Sequence, residues 1–96
     1  MMTRYEINSS ADLNIQNGLL MDRITDETMK ALNLKHFRSM KNRKADRKKA
    51  IEKWSNKVDL SLYAIHHRFD GLVGLAPREI HQKVHHVGYF YRLEWN

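Results

Sequence analysis

Apolar residues recur at helical spacing over the middle of the chain. Ile51, Trp54, Val58, Leu62, Ile65 and Phe69 follow one another at steps of 3, 4, 4, 3 and 4 residues, one continuous stripe at the period of an α-helix. Asp70-Gly71 ends the stripe, with Gly71 suited to the left-handed position after a helix C-terminus. Upstream, Ser39 is placed to cap the same helix, so the pattern predicts a helix over 40–69. The stripe fades before Ile51. Residues 41–50 would therefore extend past the core and hold a basic half-helix out in solvent.

Two further helices flank it. Thr25 is suited to an N-cap, Asp26 and Glu27 place negative charge in the first turn, and Ile24 with Met29 has the spacing of a hydrophobic staple. Met29, Leu32, Phe37 and Met40 approximate its apolar stripe, which predicts a helix over 25–38. Pro77 favours a third helix start, Ile80, Val84 and Val87 share a face, and Gly88 can end it, giving 77–87. The residues after it alternate: Tyr89, Tyr91, Leu93 and Trp95 point one way and Phe90, Arg92 and Glu94 the other, which predicts a strand over 89–95. Residues 3–7 have the pattern of a second short strand, and 8–20, rich in Asn and Ser, that of a loop. The expected architecture is a mainly α single domain spanning 1–96, three helices with a short strand at one or both ends.

Charge sharpens this picture. The sequence of 96 residues carries a formal net charge of +6 and no cysteine. Thiolate metal sites, disulfide scaffolds and cysteine nucleophiles are excluded. Residues 1–34 have a net charge of −2, residues 35–53 of +7, and residues 54–96 of +1. Nine cations, Lys35, Arg38, Lys41, Arg43, Lys44, Arg47, Lys48, Lys49 and Lys53, account for the middle block. Lys and Arg along one helix can track a phosphate backbone and release its counterions. Asn42, Arg43 and Arg47 are the only side chains there suited to reading bases, so positioning contacts are expected in place of sequence readout. A solvated helix face, with Asp46–Lys49 and Glu52–Lys48 as surface pairs, is the competing reading.

Other residue groups carry weaker signals. His81 and His85 are one helical turn apart and are the candidates for sharing a metal ion, with His66, His67 and His86 as further ligands. No His-Glu-x-x-His motif accompanies them, so no metal or other cofactor is expected. His66 and His67 stand beside Ile65 and Phe69, which predicts at least one ring at a core edge. Phe90, on the polar face of the C-terminal strand, and Arg92 are candidate partner contacts. The Ala76-Pro77 bond is expected to be trans. There is no glycine-rich phosphate loop, nucleophile elbow or recognisable triad, so the chain reads as non-enzymatic with no small-molecule substrate evident. No apolar run approaches the roughly 18 residues of a membrane helix, and Met1 to Glu6 lack the apolar stretch of a secretory signal, so a cytoplasmic protein is expected.

Two resemblances add to this. Leu75-Ala76-Pro77-Arg78-Glu79-Ile80, with Val84 and Val87-Gly88, resembles the first helix and turn of a helix-turn-helix unit. Tyr91-Arg92-Leu93 would then fall where a recognition helix begins, where the alternation predicts strand. In its size, its basic helix followed by an aromatic tail, and its lack of cysteine, the chain also resembles small accessory proteins of temperate phages. One class of these binds and redirects the host RecBCD recombination nuclease. That resemblance implies a modulator or inhibitor of a DNA repair or recombination enzyme. The expected function is thus a binding protein acting on a nucleic-acid-processing complex, or directly on nucleic acid, through residues 35–53. The alternatives are a sequence-nonspecific DNA- or RNA-binding protein and a His-metal-dependent hydrolase.

Overall fold

A computed structural model describes residues 4–84, with side chains from residue 16 onward. The order of elements is α1 (Arg4–Ala31), β1 (Phe37–Arg38), α2 (Arg43–Trp54), a 3-10 turn (Leu60–Leu62), β2 (Tyr63–His67), β3 (Leu72–Pro77) and α3 (Arg78–Lys83). The three strands form an antiparallel sheet in the order β1-β3-β2. The mainly α expectation is therefore overturned: this is an α+β fold.

The register explains how the sheet is covered. His66 lies opposite Gly74, while His67 lies opposite Val73 and Ile65 opposite Leu75. Residues directly opposite share a face, and successive residues alternate. The Gly74 face meets α1, and the Val73–Leu75 face meets α2. Among the described side chains of α1, Gly18, Met21, Asp22, Thr25 and Met29 are buried, spaced at helical period toward the sheet. Gly74 permits the close approach: a Cβ there would stand 2.5 Å from His36 Cδ2. Phe37, Ala50, Trp54, Val73 and Leu75 form the principal core, which Met29 joins from the end of α1. The Phe37 and Trp54 rings pack with centroids 5.4 Å apart.

Several predicted elements change for identifiable reasons. Residues 4–7 and 8–20, read as strand and loop, belong to α1. Thr25, expected to cap a helix, is buried inside α1, where its hydroxyl donates to the Asp22 carbonyl at 2.7 Å. That helix does not continue to 38. Asn33 adopts φ 57°, and Leu34 N–H donates to the Met29 carbonyl at 2.9 Å, closing α1 in a left-handed C-terminal turn. Phe37, counted in the helical stripe, instead pairs with Val73 in the sheet.

The predicted 40–69 helix divides into three pieces. Asn42, not Ser39, caps α2, with its side chain accepting from Ala45 N–H at 3.0 Å. The buried stripe of α2 is Asp46, Ala50 and Trp54. Ile51 and Leu62, members of the sequence stripe, are 43% and 61% exposed. Val58, Leu60 and Ile65 do reach the core, but from a loop, a turn and a strand. The stripe was a coincidence of spacing across three elements. A strand covered on both faces has no polar side to reveal its alternation. Gly71 takes its left-handed conformation, φ 90°, in the β2–β3 hairpin and not after a helix. The third helix is shorter than 77–87, with Pro77 closing β3 and preceding α3. The 75–77 start of the helix-turn-helix resemblance is accordingly strand. No cis peptide occurs among the described residues. The predicted 89–95 strand lies outside them.

Candidate anion-binding surface

The basic segment begins in the connection after α1 and ends on α2. Lys35, Arg38, Lys41, Arg43, Lys44, Arg47, Lys48 and Lys53 are exposed, and Lys49 is half-buried. Lys44, Arg47, Lys48 and Ile51 fall at i, i+3, i+4 and i+7, one outward face of α2. Asn42, Lys44, Arg47, Lys48, Ile51 and Glu52 line a shallow groove of about 670 Å³ along it. Ile51 is its largest apolar member. On the other flank, Lys49 Nζ lies 4.8 Å from the centroid of the Phe37 ring, a cation–π contact over the core edge. Arg38 Nη1 donates to the Asp70 carbonyl at 3.2 Å, which holds it beside the hairpin. The half-helix does not project free into solvent as the stripe implied, because α2 is seated on the sheet by its inner face.

That seat is polar as well as apolar. Asp46, read from the sequence as a surface partner of Lys49, is fully buried. Its carboxylate accepts from Ser39 Oγ at 2.5 Å, from Met40 N–H at 2.8 Å and from His67 Nε2 at 3.0 Å. Three donors satisfy a charge that would otherwise be costly to bury. The order is Ser39–Asp46–His67 with the carboxylate in the middle, so no imidazole stands against the serine hydroxyl. This is a structural network and not a nucleophilic triad. Glu52 and Lys48, the other expected surface pair, form no ion pair.

His66 is the mirror case on the other face. It is 2% exposed, and its Nε2 stands 2.8 Å from Asp22 Oδ1. Asp22 also accepts from Phe69 N–H at 3.2 Å. Beside them Arg68 pairs with Asp26 and, at 3.0 Å, with Asp70. His36 stands 3.8 Å from Asp26. Burial pushes the His36 imidazole below its ordinary value, with the Arg68 charge acting in the same direction. Burial lowers His67 too, against the pull of Asp46.

Of the metal candidates, His81 lies on α3 and packs its ring against His66, centroids 5.4 Å apart. His85 and His86 lie outside the described residues, as do Phe90 and Arg92. Among the described residues no three His, Asp or Glu side chains are grouped to hold a metal ion. No described helix is long and apolar enough to cross a membrane. The sequence reading missed Asp22, Ser39 and Asp46 as anchors. For Asp46 a signal existed: it shares the i, i+4, i+8 row with Ala50 and Trp54.

Comparison of the chain with protein-family models, curated proteins and solved structures gave no match.

Proposed function

We propose that this is a non-catalytic binding protein that engages nucleic-acid phosphates through α2 and the cations leading into it. One observation carries the reading: eight of the nine cationic side chains of residues 35–53 are exposed, five of them (Arg43, Lys44, Arg47, Lys48 and Lys53) on α2, a helix whose opposite side is anchored. Anchoring matters because a helix fixed by Asp46, Ala50 and Trp54 presents Lys44, Arg47 and Lys48 together, with little backbone entropy left to lose on binding. With so few base-reading side chains beside them, the contacts position the protein and do not select sequence. The cytoplasm, where such a partner is met, is the compartment this reading favours.

The test is binding to a labelled duplex at several salt concentrations. Affinity should fall steeply with salt, and the Arg43→Glu, Arg47→Glu, Lys48→Glu triple variant should lose it. Undiminished binding by that variant would overturn the proposal. Ile51, apolar and exposed amid the cations, supports a second form in which α2 docks on an acidic face of a nucleic-acid-processing enzyme, as the resemblance to phage accessory proteins implies. Affinity purification with nuclease treatment separates the two: a partner that survives nuclease is held by protein contacts.

A further inference from the structure

A second concave surface lies beside β2. Arg47 from α2, Ser61 and Tyr63 from the turn and β2, and Arg78, His81 and Gln82 from α3 converge on a cleft of about 550 Å³. That size falls within the range of about 300–1,000 Å³ common to small-ligand pockets. Ile51, Leu60 and Ile65 supply an apolar wall. Among the described residues no acidic side chain lines it. The Ser61 hydroxyl is engaged with Asp59 Oδ1 at 2.6 Å, which leaves two guanidiniums, the Tyr63 hydroxyl and the Gln82 amide as the donors, a set that favours an anion with several acceptor oxygens. The apolar wall favours an organic body attached to that anion.

Two of these groups are positioned by the fold. Arg78 Nη2 donates to the carbonyls of Leu60 and Tyr63, at 3.4 Å each, which tethers the guanidinium at the cleft rim. The His81 ring meets His66 edge-on, at an interplanar angle of 70°, and His66 is fixed by Asp22. A row of three side chains thus runs from α1 through the sheet to the cleft. We propose that this cleft binds an organic phosphate, a phosphate monoester on a body of mononucleotide size. Arg47 and Arg78 hold the phosphate, and Ile51, Leu60 and Ile65 cover the body. The cleft shares only Arg47 and Ile51 with the groove of α2. A free mononucleotide and the 5′-phosphorylated end of a strand present the same chemistry.

The experiment is titration of isotope-labelled protein with adenosine monophosphate, followed by amide chemical shifts. Saturable shifts are expected over residues 60–65 and 78–82, with adenosine at least about tenfold weaker. Arg78→Ala, and Gln82→Glu at an exposed position where folding is safe, should each weaken adenosine monophosphate at least about fivefold. A 5′-phosphorylated dinucleotide that binds more tightly than adenosine monophosphate assigns the source to strand ends, and the reverse order assigns it to free nucleotide. A long duplex with 5′-hydroxyl ends should shift residues 43–53 instead and be unaffected by Gln82→Glu, so failure of the α2 reading shows separately. No saturable shift below about 10 mM, adenosine as tight as its phosphate, or unaltered binding by both variants overturns the proposal.

Discussion

His66 and His67 are neighbours on one strand, yet each meets an aspartate from a different helix on opposite faces of the sheet. His66 stands 2.8 Å from Asp22 of α1, and His67 stands 3.0 Å from Asp46 of α2. The two pairs tie both helices to β2 through side chains that a one-residue shift of register would exchange.

The Asp22 pair is expected to matter for stability more than a surface ion pair would. Asp22→Ala removes the carboxylate that meets the buried His66 ring nitrogen and the part-buried Phe69 N–H, at a cost of about 2–4 kcal/mol. Asp22→Asn keeps an acceptor and should cost less. Urea denaturation monitored by the two tryptophans ranks the variants; equal stability of Asp22→Ala and the parent would show that the bond contributes nothing.

Stability is expected to fall in mild acid. His36 and His67 have native values below the ordinary 6.5, so the unfolded chain binds more protons than the native one between those lowered values and 6.5. Stability therefore rises with pH through that window and is fully present above it. Melting temperatures at about pH 7.5 and about pH 5.5 check the sign, and His67→Gln should flatten the difference. A protein more stable at the lower pH contradicts the argument.

Gly74 should not tolerate a side chain. A Cβ would lie 2.5 Å from His36 Cδ2 and 3.4 Å from Met29 Cγ. Gly74→Ala is expected to cost about 1–3 kcal/mol. His36→Ala opens the space, so the double variant should recover part of that loss. A double-mutant cycle with no coupling would place the strain elsewhere.

Removal of Trp54 tests the seat of α2. The ring is 2% exposed and packs on Phe37. Trp54→Ala is expected to cost about 3–5 kcal/mol. Lys49→Ala, which removes the cation from the Phe37 face, should cost only about 0.5–1 kcal/mol. Thermal or urea unfolding distinguishes these magnitudes directly.

The proposed phosphate contact by α2 has a quantitative signature. Each cation that neutralises one phosphate contributes about 0.9 to the slope of log affinity against log salt. Lys44→Ala and Lys48→Ala should each lower the slope by about that amount and weaken all sequences alike. A change confined to one sequence would mean base readout in place of backbone contact.

A helical segment within 40–69, the exposure of its cations and the left-handed conformation at Gly71 were legible in the sequence, because each rests on residue type; that Gly71 turns a hairpin and does not end a helix was not. The extent of the helices was not. Ile51, Val58, Leu62 and Ile65 keep a 3.5-residue rhythm through a helix, a loop, a turn and a strand, and rhythm alone does not say where the chain turns. For α1, Asn- and Ser-rich composition argued against a helix whose buried row, Gly18, Met21, Asp22, Thr25 and Met29, mixes glycine, acid and hydroxyl with methionine. That row makes sense only against a sheet that offers His66 and a gap at Gly74.

The candidate site divides the same way. The sequence by itself determined that positive charge is concentrated in residues 35–53 and that thiol chemistry is excluded, since charge and composition do not depend on folding. Tertiary structure decided which side of α2 faces outward, that Asp46 is an anchor and not a surface partner, and that Arg47 and Arg78 share a cleft. The reason is physical. Burial and hydrogen bonding between residues 20 to 45 positions apart depend on strand register, and register is fixed only when both faces of the sheet find their helices.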